Sequence, residues 1–171
     1  MANEVFETVR TMLAVRQYQA KDLPPDVVKR IVEAGRLSAS SMNLQPWHFV
    51  VVRDRARLRE LGTLVATGPF IAAAPLALVV AYERDSRFGV SDASRAIQSM
   101  VLTAWADGVG SNWAGFTGMA GVAGTVGLPD QYDVLAVVAF GYPKHALGKG
   151  RKNRKSLAEV GSAERFGAPL G

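Results

Sequence analysis

The chain of 171 residues is 49% hydrophobic and 20% charged, which fits one globular domain over residues 1–171 with a sizeable core. No stretch holds the ~18 uninterrupted apolar residues of a membrane span, and Met1–Tyr18 lacks the basic start and apolar centre of a signal peptide, so a cytoplasmic protein without a membrane partner is expected. The absence of cysteine excludes disulfides, thiol nucleophiles and cysteine-held iron–sulfur clusters, and the net charge of +5 is concentrated near the C-terminus.

Val5, Val9, Met12 and Leu13 recur at helical spacing, which predicts a first helix over Glu4–Val15 that delivers Arg16 to its exit. Pro24-Pro25-Asp26 opens a second helix whose stripe of Val27, Val28, Ile31 and Val32 runs toward Gly35. It leads into Ser38–Val52, the stretch around which the chain is organised. Pro46 lacks an amide donor and pushes Gln45 out of the helical region, so the helix must give way to a polar loop and then to a strand over Phe49–Val52. Short hydroxyl and amide side chains there suit a planar ligand with many acceptors; serines that merely satisfy their own backbone fit the same pattern. Asp54 is expected to cap a short helix carrying Leu58 and Leu61, with Gly62 as its stop. A looser stretch, Thr63–Ala74, precedes a strand over Leu76–Tyr82 whose apolar run predicts burial on both faces.

Asp92–Asp107 has the most regular periodicity, with Ala93, Ala96, Ile97, Met100, Val101, Ala104 and Trp105 at three- and four-residue steps. That is a long helix with a broad apolar face, suited either to the core or to a second subunit. Val109–Phe116 reads as an irregular glycine-rich strand or loop, Met119–Leu128 as a poor helix weakened by Gly121, Gly124 and Gly127, and Val134–Phe140 as a buried strand. Strands alternating with helices give an α/β or α+β sandwich of about four strands. In the tail, Lys149, Arg151, Lys152, Arg154 and Lys155 form a basic run, either a solvated linker or a phosphate clamp. Ser156 and Glu159 have capping-box spacing for a last short helix.

Several chemistries find no support. Gly108-Val109-Gly110 lacks a third glycine and follows a helix, so it is not a dinucleotide fingerprint, and no phosphate loop or nucleophile elbow occurs. His48 and His145 have no metal-ligand spacing; His48 reads as a half-buried structural residue and His145 as one residue of a basic loop. The acids are scattered singly on helix faces and caps, so no catalytic pair stands out and no metal is expected. The basic residues are not interleaved with aromatics, which disfavours a nucleic-acid partner. An enzyme with so little side-chain chemistry of its own would rely on an organic cofactor.

Val15-Arg16-Gln17-Tyr18, Leu23-Pro24-Pro25, Ala34-Gly35-Arg36, the run Ser40-Ser41-Met42-Asn43-Leu44-Gln45-Pro46-Trp47 and Phe49–Val52 resemble, in order, the N-terminal half of the FMN-dependent nitroreductase family. Asp92, Gln98-Ser99-Met100, Gly108-Val109-Gly110, Leu128-Pro129 and Phe140-Gly141-Tyr142-Pro143 continue the likeness over nearly the whole chain. The resemblance implies an α+β sandwich with a mostly antiparallel sheet, a homodimer with FMN at the subunit interface, and NAD(P)H as reductant. Electrons then pass to a small acceptor such as a nitroaromatic or quinone in ping-pong order. It also implies that Arg16 reaches the flavin, that Ser40, Ser41 and Asn43 form a loop given to the other subunit, and that Trp113-Ala114-Gly115 runs past flavin N5. Lys152 and Arg154 resemble the basic pair near the FMN phosphate. The chain departs from the family at Met12-Leu13-Ala14, where arginine and serine are usual, and at Ala39, where proline is usual. A flavin-fragmenting enzyme, a deazaflavin-linked reductase and a flavin binder without turnover share parts of this pattern.

Overall fold

Four strands build the frame: β1 (Trp47–Val52), β2 (Leu76–Glu83), β3 (Gly110–Ala114) and β4 (Tyr132–Gly141). They form one antiparallel sheet in the order β1-β2-β4-β3. The computed structural model describes residues 3–117, 119–147 and 152–170; Lys149 and Arg151 of the basic run lie outside them. The fold is the expected α+β sandwich. β2 and β4 are central, and Leu76–Ala81 and Leu135–Phe140 are fully buried, as two covered faces require.

Alternation along β2 divides the core between the two faces. Leu76, Leu78 and Val80 pack with α2 (Pro25–Arg36) and α4 (Gly89–Ala106), whereas Ala77 and Val79 pack with α3 (Arg55–Leu64) and α5 (Ala120–Val126). A bulge interrupts the register between Val80 and Ala81 and leaves Leu135 of β4 without a strand partner. The Leu135 carbonyl instead accepts from the Thr117 amide at 2.9 Å, which secures the chain just after β3.

Several expectations need correction. α1 (Glu4–Thr11) ends one turn early, because Met12 turns extended and the Val15 amide donates to the Ser111 carbonyl at 2.9 Å. Pairing with β3 outcompetes another helical turn, so Arg16 lies in an extended segment between bridges at Ala14–Ser111 and Tyr18–Pro143. Gly62 lies inside α3, which runs on to Leu64; a Cβ there would come within 2.9 Å of the Ala72 backbone, so this glycine allows close approach and does not stop the helix. His48 is exposed, its ring tilted toward Tyr132 at 5.7 Å. The Asp54 cap forms as expected, and the Glu159 carboxylate accepts from the Ser156 amide and hydroxyl at the start of α6 (Leu157–Val160).

Candidate functional site

A cavity of about 180 Å³ lies where the segment after α1 crosses β3 beneath α4. Met12, Leu13 and Ala14 give it an apolar side; Gln98, Ser111 and Asn112 give it amide and hydroxyl groups, and Trp113 contributes an aromatic side chain to its lining. The larger hollow of about 560 Å³ beside the end of β1 contains none of the expected site residues.

Beyond the cavity, β3 leaves the sheet through Ala114, which is buried, and Gly115. Gly115 has φ of +73°, and a side chain there would collide with the Met119 thioether. Its amide donates to Thr67 Oγ1 at 2.9 Å, and its carbonyl accepts from the Trp113 indole at 2.7 Å. Thr67 was not singled out by the sequence, because nothing in its turn marks it as a neighbour of β3.

The basic residues gather at the end of α1. The last carbonyls of a helix lack intrahelical donors, and Lys152 Nζ donates to one of them, Val9 O, at 2.5 Å. This places Lys152 one turn before Met12. The Lys152 ammonium is held below the usual lysine range, first by partial burial and then by the cations Arg154 and Arg10. Arg10 is itself paired with Glu7 at 2.6 Å. Among the described residues, Arg16, Lys152 and Arg154 have no carboxylate partner. Arg10 completes the cluster and was missed by the sequence reading, being one basic residue on an exposed helix.

Ser40, Ser41 and Asn43 lie in the loop before β1, which meets α4 at Asp92. Ser41 donates through both its amide and its hydroxyl to the Asp92 carboxylate, at 2.9 and 3.2 Å. Gln98 lies six residues further along α4, about 120° around it at ~100° per residue, so the loop and the cavity occupy different faces of the helix. The Ser40 hydroxyl accepts from the Gln45 amide at 3.0 Å. Met42, Asn43 and Gln45 all have positive φ, from 53° to 57°, and Met42 is 81% exposed at the tip.

A flavin mononucleotide fits the chemistry of the first group: cations without carboxylate partners for a phosphate, and amide and hydroxyl groups beside an aromatic wall for a polar ring. The Nitroreductase family model matches residues 10–83 and 62–142. The chain belongs to the nitroreductase family. A relative from Archaeoglobus fulgidus, provisionally named an NADH dehydrogenase/NAD(P)H nitroreductase, is 31% identical over 150 residues, covering 82% of this chain and 86% of its own. Among solved structures, an FMN-dependent nitroreductase from Clostridium difficile matches with a TM-score of 0.87 at 22% identity, over 94% of this chain and 99% of that one. The NADPH:FMN oxidoreductase from Vibrio harveyi, complexed with NAD+, matches with a TM-score of 0.85 at 23% identity, over 96% of this chain and 78% of that one. At those identities the two structures establish the nitroreductase fold.

Proposed function

We propose that this nitroreductase-family chain is an FMN-dependent NAD(P)H oxidoreductase that reduces nitroaromatics, quinones or related small acceptors as a cytoplasmic homodimer. The observation that carries the reading is the gathering of Lys152, Arg154 and Arg10 at the end of α1, one turn from the cavity over β3. Like charges held together disfavour one another, and a bound phosphate relieves that cost. The names of the Clostridium difficile and Vibrio harveyi proteins favour the same cofactor.

The cavity of about 180 Å³ is smaller than the ~300 Å³ at the lower end of small-molecule sites, so one chain supplies only part of the pocket. The Ser40–Asn43 loop faces away from its own cavity and is therefore free to serve a partner's. Val5 and Phe6 on α1, and Leu157, Val160 and Phe166 in the tail, are exposed apolar residues that a second copy would cover. Residues 1–171 are taken as one FMN-binding domain, since both apolar layers rest on the same sheet.

The chemistry supplied by FMN when bound is acceptance of a hydride from NAD(P)H and its return to the acceptor in ping-pong order. The chain's own residues bind and orient. Lys152 and Arg154 hold the phosphate, Arg16 offsets negative charge on the ring, Trp113-Ala114-Gly115 lines the path past N5, and Ser40, Ser41 and Asn43 bring the loop to the partner's site. No side chain is given an acid–base role. Initial rates with the FMN-loaded protein, varying NAD(P)H against a nitroaromatic or a quinone, should give parallel reciprocal plots. Intersecting plots, or turnover independent of bound FMN, would overturn the proposal.

A further inference from the structure

Asp92 is the one carboxylate among the described residues that is fully buried, and a charge taken out of water is stable only where donors surround it. Ser41 supplies two, its amide at 2.9 Å and its hydroxyl at 3.2 Å. The Ser91 hydroxyl approaches at 3.4 Å and Arg95 at 3.3 Å. A second tie lies seven residues along α4, where the Ser38 hydroxyl meets the Ser99 hydroxyl at 2.7 Å. Asp92 and Ser99 are two turns apart, about 10.5 Å along one face, and three residues of chain, with Ser40 extended, separate Ser38 from Ser41, a reach of up to ~10 Å. The chain from Ser38 to Ser41 is thus matched in length to α4 and fastened to it at both ends.

Past the Ser41–Asp92 tie the backbone enters the left-handed region at Met42, Asn43 and Gln45, with φ of 54°, 57° and 53°. For residues with a Cβ these conformations persist only where the surroundings impose them. The ties are on one side and Pro46, which is buried, is on the other.

We propose that Asp92 is the positioning residue of the Ser40–Asn43 loop and that Ser41 is its anchor and not a flavin ligand. Both donors of Ser41 are spent on Asp92, so no N–H or O–H of Ser41 is left for a cofactor acceptor. Ser40 and Asn43 are the residues the loop presents, and their geometry is set from beneath by Asp92. This deepens the reading of the loop as part of a partner's FMN site and rests on it.

The test compares Asp92→Asn, Ser41→Ala and the double variant in the full chain, each checked for a single cooperative melting transition. Hydrogen exchange of the 41–45 amides is read without flavin, and FMN affinity is read by quenching of flavin fluorescence. Losing a hydrogen bond to a charged group corresponds to roughly ten- to a hundredfold in an equilibrium. Faster exchange of about that size in Asp92→Asn, with FMN affinity lowered in each single variant and no further in the double, is the expected result. Ser41→Ala leaves the buried carboxylate and the amide tie in place, so it reports even if Asp92→Asn folds poorly. Unchanged exchange in both single variants, or multiplicative losses of FMN affinity in the double, would overturn the proposal. Wild-type protein that fails to bind FMN while the exchange result holds would remove the flavin reading and leave the Asp92–Ser41 tie standing.

Discussion

The Lys152 ammonium donates to the Val9 carbonyl at 2.5 Å, joining the C-terminal tail to the end of α1 across 143 positions of sequence. The tie does two things at once: it caps the negative end of α1, and it brings the tail's cations alongside Arg10, one turn before the apolar Met12-Leu13-Ala14 wall.

Replacing Lys152 or Arg154 by glutamine should weaken FMN more than riboflavin, because only FMN carries the phosphate. A lost charge-assisted contact is worth ~1.5–3 kcal/mol, so each change should cost FMN about ten- to a hundredfold in affinity and leave riboflavin nearly unchanged. Fluorescence titration with both flavins checks it. Equal losses would mean that the tail does not hold the phosphate.

FMN affinity should also depend on pH through Lys152. Its ammonium is held below the ordinary lysine value of 10.5, and a bound phosphate favours the protonated form, so binding takes up a proton where the free protein has begun to lose it. Affinity should fall as pH rises through this depressed value, which lies below 10.5. The fold responds in the opposite sense. A folded state that binds fewer protons at this site than the unfolded chain is relatively stabilised as pH rises through the same window. Lys152→Arg, charged throughout, should flatten the affinity profile while keeping the binding. An unchanged slope in that variant would place the titrating group elsewhere.

Homodimer formation and flavin occupancy should be coupled. With a partial cavity on one face of α4 and the Ser40–Asn43 loop on another, a lone subunit offers an incomplete site. Light scattering of the FMN-loaded protein at low micromolar concentration should report a dimer, and Phe6→Glu on the exposed face of α1 should lower both dimer fraction and flavin content. A stable FMN-loaded monomer would contradict this.

Much of the fold was legible because it was written in periodicity. The continuous apolar runs of β2 and β4 marked buried strands and the stripe of α4 marked a helix, while Asp54, Ser156 and Glu159 marked helix starts by local chemistry. What was hidden depended on partners distant in sequence. The end of α1 is decided by Ser111, about a hundred residues away along the chain, and the place of Gly62 by Ala72 across a turn. Asp92 looked like one scattered acid among others, though it lies on the buried stripe four residues before Ala96, and an acid in register with an apolar face is a signal in itself. Arg10 and Thr67 carried no such mark; only the folded chain sets them beside Lys152 and Gly115.

The measurement that bears most directly on the central claim is the visible spectrum of the purified protein reconstituted with FMN and titrated with NADH and NADPH without oxygen. Saturable binding of one FMN per subunit is expected, with loss of the flavin absorbance on one equivalent of a nicotinamide nucleotide and its return when a nitroaromatic or quinone is added. Absence of saturable FMN binding, or a bound flavin that neither nucleotide bleaches, would contradict it.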